Sequence, residues 1–170
     1  MTAVGVTLND NDLAACDTWA ELRTDNWQVA TRETNYDQNL YGVKGELALA
    51  KALQINDFVG YDKTLEADRA GDVGPYQVKA TMHKEGHLIF QQQHRMGVQT
   101  VLAIVGTNKV KLAGWLHFDT AKTIVASGVG RKEWRNDQQN VMTWWLPQDA
   151  LESMEWLPIV YGPEVVKLQC

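Results

Sequence analysis

Long apolar runs are missing from this 170-residue chain. No stretch of about 18 apolar residues exists, so no membrane-spanning helix is expected. The start, Met1-Thr2-Ala3-Val4-Gly5, has no basic segment ahead of an apolar one, and a secretory signal is not expected either. Cysteine is scarce. Cys16 and Cys170 make neither a disulfide framework nor a zinc motif, and a reducing cytoplasm is the simplest location. Positive charge is also in deficit: a formal charge of -5 argues against coating nucleic acid non-specifically, while leaving room for a local basic patch. No internal repeat, low-complexity tract or linker divides the chain, which reads as one domain over residues 1–170.

A hydrophobic content of 45% and a charged content of 22% suit a globular core that needs no covalent staples. Seven tryptophans are many for this length. Trp115, Trp144, Trp145 and Trp156 fall in or beside apolar segments and read as core, with base stacking the sharper alternative.

Residues 9–31 read as an amphipathic helix, with Leu13, Cys16, Ala20, Trp27 and Ala30 at helical spacing and Asn9 or Asn11 as cap. Residues 37–54 make a second helix with Leu40, Val43, Leu47 and Ala50 on one stripe. Glu46 falls on or beside that stripe, where a carboxylate needs a partner because unpaired burial is costly. Gly42 and Gly45 would let another backbone or a ligand approach it. An exposed glutamate is the plainer reading.

Ile55 to Val59 reads as a short strand. Gly71-Asp72-Val73 then leads through Gly74-Pro75 into Tyr76–Thr81 as a hairpin, followed by a strand from His87 to Gln91. Thr100 to Val105 is a continuous run of mostly apolar residues rich in β-branched ones, as a buried central strand would be, and Val110 to His117 runs back from a turn at Gly106–Lys109. Asp119 is placed to cap a helix over Thr120–Ala126. Gly128 to Asp137 reads as a basic loop, Val141 to Leu146 as a strand, and Pro147 to Met154 as a short helix. Helices first and strands after predict a mixed α/β, or α+β, domain around one sheet.

The hairpin holds the candidate chemistry. On a strand, Gln77 and Lys79 share one face while Tyr76, Val78 and Ala80 share the other. If Asp72 ends the preceding strand, a tight turn brings carboxylate, amide and ammonium near the helical Glu46. Asp72 would be the central ligand of a divalent cation and Glu46 a second or water-mediated one. The amide oxygen of Gln77 and the peptide carbonyl of Val78 would be weaker donors. Lys79 would orient water and stabilise charge on the phosphate. Taken alone, an Asp-x4-Gln-x-Lys string is weak, and a solvated hairpin with a surface lysine is its plain alternative.

With the Gly45-Glu46 helix upstream and the buried strand downstream, the segment from Glu46 to Val105 resembles the PD-(D/E)XK nuclease superfamily. Gly114-Trp115-Leu116, Asp119-Thr120-Ala121 and Leu146-Pro147-Gln148-Asp149-Ala150-Leu151 look like a small phage-encoded or mobile-element type within it. The resemblance implies a restriction-endonuclease-like core, a central mixed β-sheet flanked by helices. It also implies hydrolysis of DNA phosphodiester bonds with Mg²⁺, Mn²⁺ as substitute, and catalytic residues Glu46, Asp72, Gln77 and Lys79. DNA is the implied partner, a homodimer an analogy from such enzymes, and the host cytoplasm the location if the chain is phage-encoded. Two departures stand out: Gln77 replaces the usual acid, and Gly71 stands where many members have proline. The glutamine leaves open a catalytically degenerate DNA-binding protein on the same fold, and the acidic balance a non-enzymatic interaction protein. Lys44, Arg69, Lys84 and Arg95 would be supporting phosphate contacts. The basic stretch with Arg131, Lys132, Trp134 and Arg135 is a candidate grip on the DNA backbone. His83, His87 and His94 lack an acidic partner at metal-ligand spacing; His83 or His94 beside the hairpin could meet phosphate or water, but solvated surface histidines are the favoured reading.

Overall fold

The computed structural model describes residues 2–25, 35–60, 72–92, 97–135, 141–161 and 164–166. The order of elements is β1 (Val4–Thr7), α1 (Asp10–Asp25), α2 (Tyr36–Ala52), β2 (Tyr76–Thr81), β3 (Leu88–Gln91), β4 (Gln99–Val105), β5 (Lys109–His117), α3 (Phe118–Ala126), β6 (Arg131–Arg135), β7 (Val141–Leu146), β8 (Ile159–Tyr161) and β9 (Glu164–Val166). The fold is mixed α+β.

Both long helices begin where side chains cap the free amides. Asn9 accepts from the Asp12 amide while Asp12 accepts from the Asn9 amide, a reciprocal box at the start of α1. Asn35 accepts from Gln38 at the start of α2. Trp27 and Ala30, expected in the first helix, lie outside the described residues. The second helix ends in a Schellman turn: Gln54 takes a φ of 58°, and the Ile55 amide donates to the Ala50 carbonyl at 2.9 Å. Ile55 therefore packs against the core from a turn. The strand expected over Ile55 to Val59 is not formed: the helix cap takes the Ile55 amide, and the chain turns again at Asn56 and Asp57.

A four-stranded mixed sheet runs in the order β1-β5-β4-β2. β4 pairs antiparallel with β5 and parallel with β2, so among the described strands β2 stands at the edge. The continuous apolar text of β4 fits its position between two neighbours and two packed layers. Val101 and Ala103 join one core cluster with α1 and α2, while Leu102 joins a second. That second cluster lies under the three-stranded sheet β3-β7-β6 and α3, where Phe90 and Phe118 stack at 5.4 Å and Trp144 meets Phe118 edge-on at 5.1 Å. The expectation of one sheet is corrected accordingly: β3 leaves the first sheet and founds another, and β8 and β9 pair separately. Gly114, Trp115 and Leu151, quoted apart in the sequence, meet in space. Trp115 exchanges both backbone hydrogen bonds with Glu152, and Gly114 has no side chain because Leu151 lies against it.

Three further expectations change. The segment read as a basic loop contains a strand, β6; the missing Cβ of Gly130 lets the chain pass against the Trp145 carbonyl and enter the ladder with β7. α3 starts one residue before Asp119, with His117 at its cap position, since Phe118 is drawn into the core; Asp119 pairs with Lys122 at 3.1 Å. Pro147 to Met154 holds a short 3-10 turn, Gln148–Ala150, with another at Met154–Trp156. Trp115 is buried, Trp144 and Trp145 are half-buried, and Trp156 is exposed. No helix among the described residues is long and apolar enough to cross a membrane.

Candidate functional site

Gly45 fixes where α2 meets the sheet. A Cβ there would lie 3.0 Å from the Ala103 Cβ and 3.2 Å from both Ala80 and Val78, so helix and sheet touch backbone-close at this point. The next residue, Glu46, is 4% exposed and turns toward α1. Arg23, in the last turn of α1, donates to both carboxylate oxygens, Nη1 to Oε1 at 3.0 Å and Nη2 to Oε2. The Arg23 Nε donates to the Gly60 carbonyl. Gly42, one turn back, leaves the space that the guanidinium fills: its absent Cβ would sit 3.7 Å from Nη1. The two glycines thus admit the sheet on one side and an arginine on the other.

Asp72 lies before a tight turn through Gly74, whose φ is +56°. Val73 and Tyr76 form one β-bridge, and the Asp72 amide donates to the Tyr76 carbonyl at 2.8 Å. The expected hairpin is reduced to this stub, and Gly71 lies outside the described residues. The Asp72 side chain folds back so that Oδ2 accepts from the Val78 amide at 2.8 Å. In an extended strand, the N–H and C=O of one residue point to the same side. The Val78 carbonyl therefore also leaves β2 on the side away from β4, beside Asp72, while Gln77 and Lys79 direct their backbone groups toward β4.

Val78 and Ala80 face α2, so Gln77 and Lys79 occupy the opposite face of β2, as the alternation requires. Lys79 lines a cleft between the two sheets, together with His83, His87 and Trp145. The structure thus joins Asp72 to the Val78 edge, sets Gln77 and Lys79 side by side on one face, and holds Glu46 on the helix side against Arg23. Among the described residues, no three His, Cys, Asp or Glu side chains gather as a metal-ligand set.

Of the supporting cations, Lys44 donates to the Thr107 carbonyl in the β4–β5 turn, and Lys84 is exposed beside the cleft. Arg69, Arg95 and His94 lie outside the described residues. Arg131 and Lys132 lie over the Trp145 and Trp144 rings, at 4.6 and 5.3 Å from their centroids.

Arg23 is the residue sequence reasoning missed. The one signal for it was indirect: a carboxylate on an apolar face demands a cation, but nothing in the text says which. Comparison with family models, with curated proteins and with solved structures gives no match.

Proposed function

We propose that the chain is a metal-dependent deoxyribonuclease on a restriction-endonuclease-like core. The observation that carries this reading is the hydrogen bond from the Val78 amide to Asp72. On the strand bearing Gln77 and Lys79, it sets a carboxylate against the side that faces away from β4, with the Val78 carbonyl leaving on the same side. The parallel pairing of that strand with β4 supports the same core.

The donors are all hard oxygens: the Asp72 carboxylate, the Val78 carbonyl and the Gln77 amide oxygen. Such a set suits Mg²⁺, which is held by one or two carboxylates and completes its shell with water and phosphate oxygens; Mn²⁺ would substitute. Bound there, the cation would neutralise phosphate charge and make water a stronger nucleophile. Lys79 would donate to a phosphate oxygen and hold the attacking water in line. Gln77 contributes no charge, so affinity for the cation would be lower than with an acid in its place. Glu46 would reach the cation only on leaving Arg23.

Plasmid, linear duplex, single-stranded and branched DNA, incubated with Mg²⁺ or Mn²⁺, provide the test. Cleavage by the wild type that is lost in Asp72→Ala and in Lys79→Ala is the expected result. Cleavage surviving both substitutions at matched purity overturns the assignment. Gln77→Glu should lower the Mg²⁺ concentration required.

A second reading, a catalytically degenerate DNA-binding protein, draws on the engagement of Glu46 by Arg23 and on the neutral Gln77. It requires DNA binding that is indifferent to EDTA and to Lys79→Ala, with no cleavage of any substrate. Homodimerisation would let two such sites act on both strands, and sedimentation on duplex DNA tests it.

A further inference from the structure

The cleft that Lys79 enters has more in it than a lysine. Its volume is about 360 Å³, and Lys79, His83 and His87 line it together with Ile89, Leu102 and Trp145. Trp145 pairs with Ile89 across β3–β7 and with Arg131 across β6–β7, so all three side chains rise from one face of the second sheet. The exposed Arg131 guanidinium lies over the indole at 4.6 Å. Arg131 also faces Glu133 at 3.7 Å, a solvent-exposed pair too weak to hold it there.

We infer that this cleft takes one unpaired nucleotide of a DNA strand, its base against Trp145 and Arg131 and its phosphate toward Lys79 and the two histidines. The inference rests on the nuclease reading and deepens it: the substrate is DNA with an unpaired segment, not continuous duplex. Size is the first argument, because the volume lies near the lower end of the roughly 300–1,000 Å³ of small-ligand sites, room for a nucleotide and not for a helix. A base paired within duplex cannot enter such a space; an unpaired one can. Charge is the second. Among the described lining residues Glu85 is the one carboxylate and is set against Lys79, while the neighbouring Arg131 is set against Glu133, so the cleft does not share the acidic balance of a chain whose overall charge is -5. Chemistry is the third: an indole with a guanidinium over it, in a cleft that an ammonium also lines, provides the groups on which unpaired bases stack while their phosphates are held.

Fluorescence anisotropy in EDTA, where no cleavage occurs, compares three probes: labelled oligothymidylate, the same backbone carrying abasic sites, and a duplex of equal length. The wild type should bind the intact strand about 10-fold more tightly than the abasic strand, as one stacked base is worth. Trp145→Leu should remove that difference while leaving abasic binding nearly unchanged, and Arg131→Ala, which also takes away a cation, should weaken binding of the intact strand severalfold more than that of the abasic strand. Arg131 is exposed, so its variant decides the matter even if Trp145→Leu fails to fold by circular dichroism. Equal binding of intact and abasic strands, or an equal loss on both in Arg131→Ala, overturns the inference. Base-dependent binding without cleavage in Mg²⁺ or Mn²⁺ would defeat the nuclease reading and leave the cleft standing. Cleavage abolished by Asp72→Ala with base-indifferent binding would do the reverse.

Discussion

Arg23 grips both carboxylate oxygens of Glu46 across the α1–α2 interface, and both side chains are at least 90% shielded from water. The pair spans 23 residues of sequence and ties the two helices at a point where neither could leave its charge alone. Removing one partner of such a pair is more damaging than replacing both. Arg23→Met should cost about 3 kcal/mol, because an uncompensated carboxylate stays buried. In a chain of this length that corresponds to a fall in Tm of roughly 10 °C. Arg23→Met combined with Glu46→Leu should recover most of the loss, read by thermal or denaturant unfolding.

Gly42 and Gly45 should respond to alanine with opposite signs. At Gly42 the new methyl meets Arg23 and Glu46 at 3.7 and 3.9 Å, ordinary contact distances. The helix then gains up to about 1 kcal/mol from alanine's better propensity. At Gly45 the methyl meets three side-chain carbons at 3.0–3.2 Å from an element packed on the sheet. Overpacking of about 1–3 kcal/mol outweighs the propensity gain. Chemical denaturation of the two single variants checks the contrast.

How far these contacts could be read from the text varies with their kind. The strands β2, β4 and β5 were legible because period-2 alternation and continuous apolar runs carry their own signal. Glu46 was legible as a problem, a carboxylate on an apolar stripe, but Arg23 was not legible as its answer. Long-range pairing leaves no trace in local pattern. The same limit explains β6. Its charged residues and flanking glycines imitate a loop, and only the approach of Gly130 to the Trp145 carbonyl shows that glycine there serves strand entry. Ile55 misled in the opposite direction, being apolar for the sake of a helix cap. In the candidate site, the shared face of Gln77 and Lys79 followed from alternation alone. The turn of Asp72 back onto the Val78 amide depends on the loop geometry and did not.

Asp72 should therefore have a stability phenotype separable from its proposed chemistry. Asp72→Ala leaves the Val78 amide without its acceptor, a cost of about 1–2 kcal/mol. Asp72→Asn keeps an oxygen in place and should lose less than about 1 kcal/mol. Both should abolish metal-dependent cleavage. Unfolding curves measured beside cleavage assays distinguish the two effects.

Cys16 is fully buried, and burial pushes its thiol up to about 12 from an ordinary value of 9.0. In a Cys170→Ser background, the native protein at pH 8 should react with a thiol reagent only as fast as it unfolds. The raised value also fixes a sign. The unfolded chain releases this proton near pH 9 and the folded chain only near 12, so the thiol's contribution to stability is complete below pH 9 and declines as pH rises through that window. Cys16→Ala should flatten that part of the alkaline stability profile.

Among the described strands β2 is the last of its sheet, and beyond the groups of Tyr76 that Asp72 and Val73 engage, the backbone groups on its outer side are the kind that recruit a strand from another molecule. The Asp72 carboxylate occupies one of those donors with a charge that no incoming strand can match. It works as a stopper on the sheet as well as a candidate ligand. A variant without it should pair edge to edge at high concentration, so the gel-filtration profile of Asp72→Ala belongs beside its activity: one missing side chain would both silence the site and open the sheet to its own kind.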